Sequence, residues 1–309
     1  MKHHHYLITC FPIQGHINPT LQLAKTLATL GATVTFATSA SGLKRVHDRL
    51  PSPDGLTYAP FSDENTPASD TTTYMTNIRR CGTENLIKIL RNSLDTGWTR
   101  LVVTWIMRRR IIFNGWTRSK RLDSVVYIAF GSLVVLSNEQ KVEILQGLVE
   151  SKRPFLWVVR SLDSEEDEVK NMFEEEIRNC DGMIVTWCSQ TEVLGHKSIG
   201  CFVTHCGWNS TLEALVSGVP LIGCPHYSDQ TTNAKLVEEV WGNGVRARMN
   251  GEVVMKREEL GKCLDVVMGE GERGKEIRKR AWLLRGMAMD AVKDGGSTYN
   301  NLRKVMDTF

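Results

Sequence analysis

The feature that most constrains the fold is a regular alternation of short apolar runs and amphipathic stretches in the second part of the chain. The runs are rich in Val, Ile and Phe, which is typical of buried strands, and the stretches between them carry apolar residues at helical spacing. Strands that alternate with helices form a parallel sheet with helices on both faces. The sequence therefore predicts a doubly wound α/β domain. Strands are predicted within 124–132, 154–160, 182–190, 200–207 and 219–225, and helices at 138–151, 210–218, 231–240, 256–269 and from 272 onward.

A second α/β pattern occupies the first hundred residues. Its first three segments predict one strand–helix–strand unit, with Pro19 at the start of the helix and Gly31 at its end. A polar, Pro-rich stretch that follows is predicted as a loop. The predicted elements are a strand at 6–11, a helix at 19–31, a strand at 32–39, a loop at 51–73, a helix at 75–95 and a strand at 101–107.

Composition excludes several classes of protein. The length of 309 residues suggests roughly two domains, and 41% hydrophobic with 24% charged residues is ordinary for a globular chain. A net charge of +3 gives no reason to expect nucleic acid or a membrane as partner, and no apolar run reaches the roughly 18 to 20 residues of a membrane span. The start of the chain lacks the pattern of a signal peptide. Eight cysteines without a CxxC spacing favour reduced thiols and a cytoplasmic location.

A basic run between the two patterns has two interpretations. It contains six cations, and a cluster of this kind is found in nucleic-acid-binding proteins. No fold signature of such a protein accompanies it, so a solvated connector between domains is the preferred interpretation. The cations are Arg108, Arg109, Arg110, Arg118, Lys120 and Arg121.

The segment 205–210, HCGWNS, follows a predicted strand and leads into a predicted helix that begins near Asn209. The start of a helix presents amide groups without intrahelical acceptors and the positive end of the helix dipole. Phosphate is the natural ligand there, and the side chains of His205, Asn209 and Ser210 add donors. Ser132, Trp187 and Asp229 also follow predicted strands, whose carboxyl ends share one edge of the sheet.

Each of these residues also has a purely structural interpretation. Asn209 or Ser210 alone is suited to cap the helix, and Glu213 stands at capping-box spacing from Ser210. Trp187 fits either a core position or a site that stacks on a flat base. Asp229 alone is an ordinary helix cap. The whole cluster after a strand favours a ligand site over these alternatives.

The stretch 187–230 resembles the signature box of plant secondary-product UDP-glycosyltransferases. Two further stretches agree, since 10–19 resembles the N-terminal loop of that family with its catalytic histidine and 295–302 resembles its C-terminal helix. The text around VVYIAFGS (125–132) and TWCSQ (186–190) resembles the branch that contains anthocyanin 5-O-glucosyltransferases. The landmarks in register are Trp187, Gln190, His196, 205–210, Glu213, 218–220, Pro225, Asp229 and Gln230.

The resemblance implies a GT-B-like fold, in which two Rossmann-type domains face a cleft. It places a truncated acceptor-side domain at 1–107, the basic connector at 108–122 and the UDP-sugar-binding domain at 123–309. The N-terminal domain is incomplete in this comparison, because the chain passes into the connector before the strands and helices that normally finish the first sheet and the acceptor pocket.

The resemblance also implies a role for each site residue. Trp187 stacks on uracil with Gln190 close to the nucleoside, and Glu213 holds the ribose hydroxyls. The diphosphate is bound by Ser132, His205, Asn209 and Ser210. The sugar is held by Trp208, Asp229 and Gln230, and the closing Gln favours glucose.

His16 is the general base that the resemblance implies. It follows a predicted strand and Gly15 in a predicted polar loop, where an imidazole takes a proton from the acceptor hydroxyl; the alternative is a cap on the helix that begins at Pro19. The reaction inverts the anomeric configuration, and no metal is expected because the helix terminus holds the charge of the leaving UDP. In many relatives an Asp orients this His, but no Asp stands at the matching place near Thr104.

Two hypotheses follow. The chain is an inverting transferase that moves glucose from UDP-glucose to a hydroxyl or carboxyl of a small plant metabolite such as a flavonoid, an anthocyanin or a hormone. Alternatively, it is a catalytically impaired UDP-sugar-binding remnant, because the N-terminal domain is shortened. A dinucleotide-dependent oxidoreductase is disfavoured, since no GxGxxG follows the first strand. The sequence indicates neither the acceptor nor the oligomeric state.

Overall fold

The computed structural model describes most of the chain, in segments separated by gaps. It divides into two compact units: unit 1 is Met1–Arg108 with Asn301–Phe309, and unit 2 is Arg109–Asn300. The described residues are 5–10, 12, 14–47, 52–62, 81–82, 84, 100–102, 120–131, 134–159, 175–177, 180–250 and 254–308.

Unit 1 is built on a parallel sheet whose described strands are β1 (His5–Thr9), β2 (Thr33–Ala37), β3 (Leu56–Tyr58) and β4 (Arg100–Val102). Their order in the sheet is β3-β2-β1-β4. Apolar side chains of β1 and β2, among them Tyr6, Ile8 and Phe36, pack against Ile17 and Leu21 of the first helix. The helices that accompany this sheet are α1 (Gln14–Thr29) and α2 (Ala40–His47).

The first helix begins earlier than the sequence predicts. It starts at Gln14, so Pro19 lies inside it, and His16 lies in its first turn instead of a loop. Proline removes a backbone donor, but this loss is small near a helix start, where few intrahelical bonds exist. The Thr20 hydroxyl donates to the carbonyl of His16 at 2.7 Å, which supplies a further bond to this turn.

Other predictions for unit 1 have mixed outcomes. The predicted loop at 51–73 contains β3, a strand of three residues that pairs with β2. The strand predicted at 101–107 begins one residue earlier, and its residues beyond Val102 lie outside the described part of the chain. Most of the helix predicted at 75–95 also lies outside it. Of the basic run, only Lys120 and Arg121 are described, and Lys120 pairs with Asp181.

Within its described residues, unit 2 contains six parallel strands: β5 (Val125–Ala129), β6 (Phe155–Val158), β7 (Gly182–Val185), β8 (Ile199–Thr204), β9 (Leu221–Gly223) and β10 (Gly244–Arg246). Their order in the sheet is β10-β9-β8-β5-β6-β7. Counted within the unit, this is the 3-2-1-4-5-6 order of a Rossmann fold, so the predicted doubly wound sheet is confirmed. The helices are α3 (Asn138–Ser151), α4 (Gln190–Leu194), α5 (Trp208–Ser217), α6 (Gln230–Lys235), which continues as a π turn (Leu236–Trp241), α7 (Arg257–Met268) and α8 (Glu272–Val292). The last helix, α9 (Ser297–Thr308), begins in unit 2 and ends in unit 1.

Both faces of the second sheet are covered. Successive residues of a strand point to opposite faces, and β5 shows this clearly. Val126 and Ile128 pack on the side of α3 and α7, whereas Tyr127 packs on the side of α4 and α5. The apolar core on each side fixes these helices against the sheet, and so fixes where their first residues lie.

The end of the chain is grouped differently from the predicted domain assignment. The sequence places all of 123–309 in the C-terminal domain, but the residues from Asn301 onward belong to unit 1. The reason is packing, because Met306 of α9 contacts the apolar core of the first sheet. Within the described residues, no helix is both long and apolar enough to cross a membrane.

One buried polar side chain of unit 2 is expected to destabilise the fold. Asn243 is fully buried, and within the described part of the chain neither its amide nitrogen nor its amide oxygen has a hydrogen-bond partner. Burying unpaired polar atoms costs free energy that an apolar side chain of the same size does not lose. We expect Asn243→Leu to raise the free energy of unfolding by about 1–2 kcal/mol in urea denaturation.

The exposed Asn301→Leu serves as the control and is expected to change stability by less than about 0.5 kcal/mol. A decrease in the stability of Asn243→Leu would show that the buried amide makes a favourable contact.

Candidate functional site

The second sheet has a topological switch point between β5 and β8. These strands are neighbours, yet the chain continues outward from them in opposite directions. In sheets of this kind the ligand crevice opens at the carboxyl ends of the two strands at the switch point. Here β5 leads into Gly131 and β8 leads into His205. Ser132, the next residue after Gly131, lies outside the described residues.

The ring of His205 lies against two glycines. A Cβ atom at Gly131 would lie 2.5 Å from Nε2 of His205, and a Cβ at Gly207 would also clash with the ring. Gly131 has a φ of +70°, a conformation that suits glycine. His205 Nδ1 lies 3.2 Å from the Thr204 hydroxyl. The two glycines thus leave room for an imidazole at the mouth of the switch point.

Helix α5 begins at this mouth without a side-chain cap. Its N-cap residue is Gly207 and its first residue is Trp208, so Asn209 and Ser210 lie within the first turn. The interpretation of Asn209 or Ser210 as a simple cap is therefore wrong. A helix start that lacks a side-chain cap and an acidic residue in its first turn is suited to bind an anion.

Gln190 ties the neighbouring helix to α5. Its Nε2 donates to Oγ of Ser210 at 2.9 Å and to Oε2 of Glu213 at 2.6 Å. The chain returns from the edge strand β7 to reach this position, and Sγ of Cys188 lies 3.4 Å from the Tyr127 hydroxyl on β5. The structure thus brings together three of the predicted site residues. The capping box, which was the structural alternative for Glu213, is not formed, because Ser210 and Glu213 are joined through Gln190.

Glu213 is a buried acid with unused hydrogen-bonding capacity. Its side chain is 6% exposed, and Oε1 has no hydrogen-bond partner within the described residues. Burial raises the pKa of Glu213 to about 7, although the hydrogen bond from Gln190 opposes this. A ligand with hydroxyl donors would satisfy the carboxylate and favour its ionised form.

Asp229 and Gln230 begin α6 and differ in their surroundings. Gln230 is buried, and its Oε1 accepts the amides of His226 and Tyr227 at 2.9 and 3.1 Å, so it holds the preceding turn. Asp229 is exposed and does not cap the helix that follows it. Its Oδ2 accepts from Nδ2 of Asn233 at 2.6 Å. Sequence reasoning missed Asn233, and its only signal was the spacing of four residues from Asp229.

Two tryptophans at the site are substantially exposed. Trp187 follows β7 with 38% of its surface accessible, and Trp208 opens α5 with 43% accessible. The exposure of Trp187 argues against the interpretation as a core residue and leaves a flat face for stacking. The ring of Trp208 lies 6.3 Å, centre to centre, from the ring of Trp241, at an angle of 42°.

His16 belongs to unit 1, in the first turn of α1 after the first strand. Burial lowers the pKa of His16 below 6.5. A lowered pKa keeps the imidazole neutral at pH 7, which is the form that accepts a proton. The place near Thr104, where relatives carry an orienting Asp, lies outside the described residues.

Comparison with known proteins identifies the family of the chain. Residues 113–280 match the family model of UDP-glucuronosyl and UDP-glucosyl transferases. The chain is 31% identical to phloretin 4'-O-glucosyltransferase from Malus domestica over 472 aligned positions, which cover 99% of this chain and 98% of the relative. Because this chain has 309 residues, about a third of those positions have no counterpart in it.

Other relatives match a smaller region more strongly. UDP-glycosyltransferase 75C1 from Solanum lycopersicum is 52% identical over 188 residues, and crocetin glucosyltransferase from Gardenia jasminoides is 46% identical over 198 residues. The matches cover 61% and 63% of this chain, and the chain spans 40% and 42% of these relatives.

Solved structures share the fold. Os79 from O. sativa in complex with UDP has a TM-score of 0.84 at 23% identity, covering 98% of this chain and 99% of that one. A UDP-glucose: anthocyanidin 3-O-glucosyltransferase in complex with UDP has a TM-score of 0.78 at 19% identity, covering all of both chains. The predicted GT-B fold is confirmed by these likenesses.

Proposed function

This chain belongs to the family of UDP-glucuronosyl and UDP-glucosyl transferases, and we propose that it binds UDP-glucose in unit 2 and transfers the glucose to a small plant metabolite. The observation that carries the proposal is the buried carboxylate of Glu213. It lies beside the uncapped start of α5 with one oxygen unsatisfied. A nucleoside diphosphate complements this pair of features, because its ribose hydroxyls can donate to the buried carboxylate and its diphosphate can bind at the helix start.

Each part of the donor has a proposed partner. Uracil stacks on Trp187 with Gln190 beside the nucleoside, and the ribose hydroxyls donate to Glu213. The glucose is held by Trp208, Asp229 and Gln230. For Gln230, Oε1 already accepts two backbone amides of the preceding turn, so the amide nitrogen Nε2 is the atom proposed to donate to the sugar. The proposed diphosphate ligands are Ser132, His205, Asn209 and Ser210.

The proposed chemistry is a single inverting displacement. His16 removes the proton of the acceptor hydroxyl while its oxygen attacks the anomeric carbon, and the bond from that carbon to UDP breaks. A carboxylate acceptor would attack without this proton transfer. The charge on the departing UDP is stabilised by the start of α5 and by His205. We propose that no metal takes part, because backbone amides and neutral side chains suffice to hold a diphosphate there.

The acceptor is proposed only as a class. The names of relatives and structural neighbours refer to phloretin, crocetin and anthocyanidin, which supports a phenolic hydroxyl or a carboxyl group of a small metabolite. Within that class, the resemblance to anthocyanin 5-O-glucosyltransferases makes flavonoids and anthocyanins the first compounds to test. A cytoplasmic location fits the reduced cysteines of the described residues.

A second candidate is a UDP-sugar-binding protein without transferase activity. The observation that favours it is the alignment with the Malus relative, in which about a third of the positions have no counterpart here. Both candidates require the donor site of unit 2, and they differ in whether His16 has an acceptor to deprotonate.

Two measurements test these candidates. We expect calorimetric titration with UDP to show saturable binding, and a folded chain without any affinity for UDP would contradict both. We expect incubation with UDP-glucose and a mixed panel of phenolic acceptors to yield glucosides detectable by mass spectrometry. UDP binding without any product would support the second candidate.

A further inference from the structure

Asn233 joins two parts of the proposed donor site through a single amide nitrogen. Its Nδ2 donates to Oδ2 of Asp229 at 2.6 Å and to the carbonyl of Cys206 at 3.0 Å. A side-chain amide nitrogen carries two hydrogens, so both donors are used. Asn233 is only 4% exposed, so the donor side of both hydrogen bonds is buried.

The first partner, Cys206, stands in a strained conformation. Its φ is +57°, and side chains other than glycine rarely adopt this left-handed region. A residue keeps such a conformation only when its surroundings hold it there. Cys206 immediately precedes Gly207, the N-cap of α5, so its backbone sets the direction from which the chain enters that helix. The hydrogen bond from Asn233 fixes the carbonyl at this entry.

The second partner, Asp229, occupies the N-cap of α6 but makes no capping bond. An aspartate at this position ordinarily accepts an amide of the first helical turn. Here the carboxylate is turned to Asn233, one helical turn away, by a short bond of the charge-assisted type. Asp229 is itself exposed, so its remaining acceptor capacity faces a ligand or solvent.

We propose that Asn233 is a positioning residue that couples the phosphate-binding start of α5 to the sugar-binding carboxylate of Asp229. This inference rests on the proposed function, because it takes the diphosphate at α5 and the hexose at Asp229. In this proposal Asn233 acts on the donor only through Cys206 and Asp229. It sets both the strained turn at Cys206 and the rotamer of Asp229, so the two halves of the donor are recognised in a fixed relation.

Binding of two ligands separates the two effects. The affinity for UDP reports the phosphate side, and the ratio of the dissociation constants for UDP-glucose and UDP reports the sugar side. Asn233→Leu keeps the branched shape of the side chain and removes both donors. We expect it to weaken the affinity for UDP about threefold and to raise the ratio of dissociation constants about tenfold in addition, as the loss of a hydrogen bond to a charged group would. Asp229→Ala is expected to raise the ratio by a similar factor and to leave the affinity for UDP unchanged.

A double-mutant cycle shows whether Asn233 acts through Asp229. If it does, adding Asn233→Leu to Asp229→Ala raises the ratio no further, whereas independent roles would make the two effects multiply. Effects on the ratio that multiply in the double variant would overturn the coupling. An equal loss of affinity for UDP and for UDP-glucose in Asn233→Leu would overturn it as well.

Two further variants keep the test decisive. Asn243→Leu replaces another buried Asn of unit 2, whose side chain bonds no site residue in the part of the chain that the structure describes, and it is expected to change neither affinity. Asn233→Asp keeps the size of the side chain but replaces the donor by an acceptor, and it is expected to show the same pattern as the leucine variant if the latter does not fold. A wild-type chain that does not bind UDP would refute the proposed function itself. Intact binding with an unchanged ratio in both Asn233 variants would refute this inference alone.

Discussion

Replacing Glu213 by Gln is expected to make the protein more stable and at the same time to weaken its binding of UDP. The carboxylate is buried, and its Oε1 is unpaired within the described residues. In the free protein the charge is therefore costly, and in the proposed complex it accepts the ribose hydroxyls. A glutamine removes the charge and keeps the volume, so it removes the cost and the benefit together.

The pH dependence gives the sign and the size of the stability effect. Burial raises the pKa of Glu213 from 4.5 to about 7, so between these values the folded protein holds a proton that the unfolded chain has lost. Stability contributed by this group is therefore present below pH 4.5 and is lost as the pH rises to about 7. The shift corresponds to about 3 kcal/mol, so Glu213→Gln should gain about 1–3 kcal/mol at pH 8 and little at pH 5. Urea denaturation at both pH values measures this.

The same substitution should weaken the affinity for UDP at pH 8 by about tenfold to a hundredfold, because hydrogen bonds to a charged group are lost. Calorimetry measures the loss. In the wild type, the affinity for uridine should rise from pH 6 to pH 8, since the ligand favours the carboxylate; uridine has the ribose hydroxyls but no phosphate that titrates. The glutamine variant should show no such rise.

Glu276→Gln on α8 is the matched control. This acid is exposed and pairs only with neighbouring cations of its own helix among the described residues, so neither stability nor affinity should change appreciably. A glutamine variant at 213 that is less stable than the wild type at pH 8, or that binds UDP equally well, would show that the carboxylate has another partner.

The sequence was sufficient for long elements with a strong apolar pattern. Helix α3 has the predicted bounds of 138–151, since its apolar face is regular and Ser137 caps it. The strands β3 and β10 were missed, because each has three residues at the edge of its sheet and too little pattern to distinguish it from a loop. The π turn at 236–241 was predicted as ordinary helix, since one extra residue per turn leaves no mark in a pattern this short.

The candidate site was predictable as a set of residues but not as a set of contacts. The motif identifies Gln190 and Glu213, yet the bond between them depends on how α4 packs beside α5, which no local pattern specifies. The same holds for Asn233, whose role depends on a carbonyl 27 residues earlier in the chain. Tertiary placement decides which polar groups are buried, and burial decides the pKa of Glu213.

Replacing His16 by Ala is expected to lower kcat for glucosyl transfer to a phenolic acceptor by about a hundredfold to ten-thousandfold, the usual contribution of a general base. The affinity for UDP should stay the same, because the proposed UDP ligands all belong to unit 2. Steady-state rates with UDP-glucose and calorimetry with UDP measure the two quantities on the same preparation.

The pH profile distinguishes a base from a structural histidine. Burial lowers the pKa of His16 below 6.5, so the wild-type rate should be constant near pH 7 and fall only as the pH drops below that pKa, where the imidazole gains a proton. His16→Ala should lack this acidic limb, whereas a variant that merely loosens α1 would keep it at a lower rate. Thr29→Ala, exposed at the far end of the same helix, is the control and should retain full activity. An alanine variant at 16 with the wild-type rate would exclude His16 as the base, and a wild type without activity would leave the chain a UDP-sugar-binding protein.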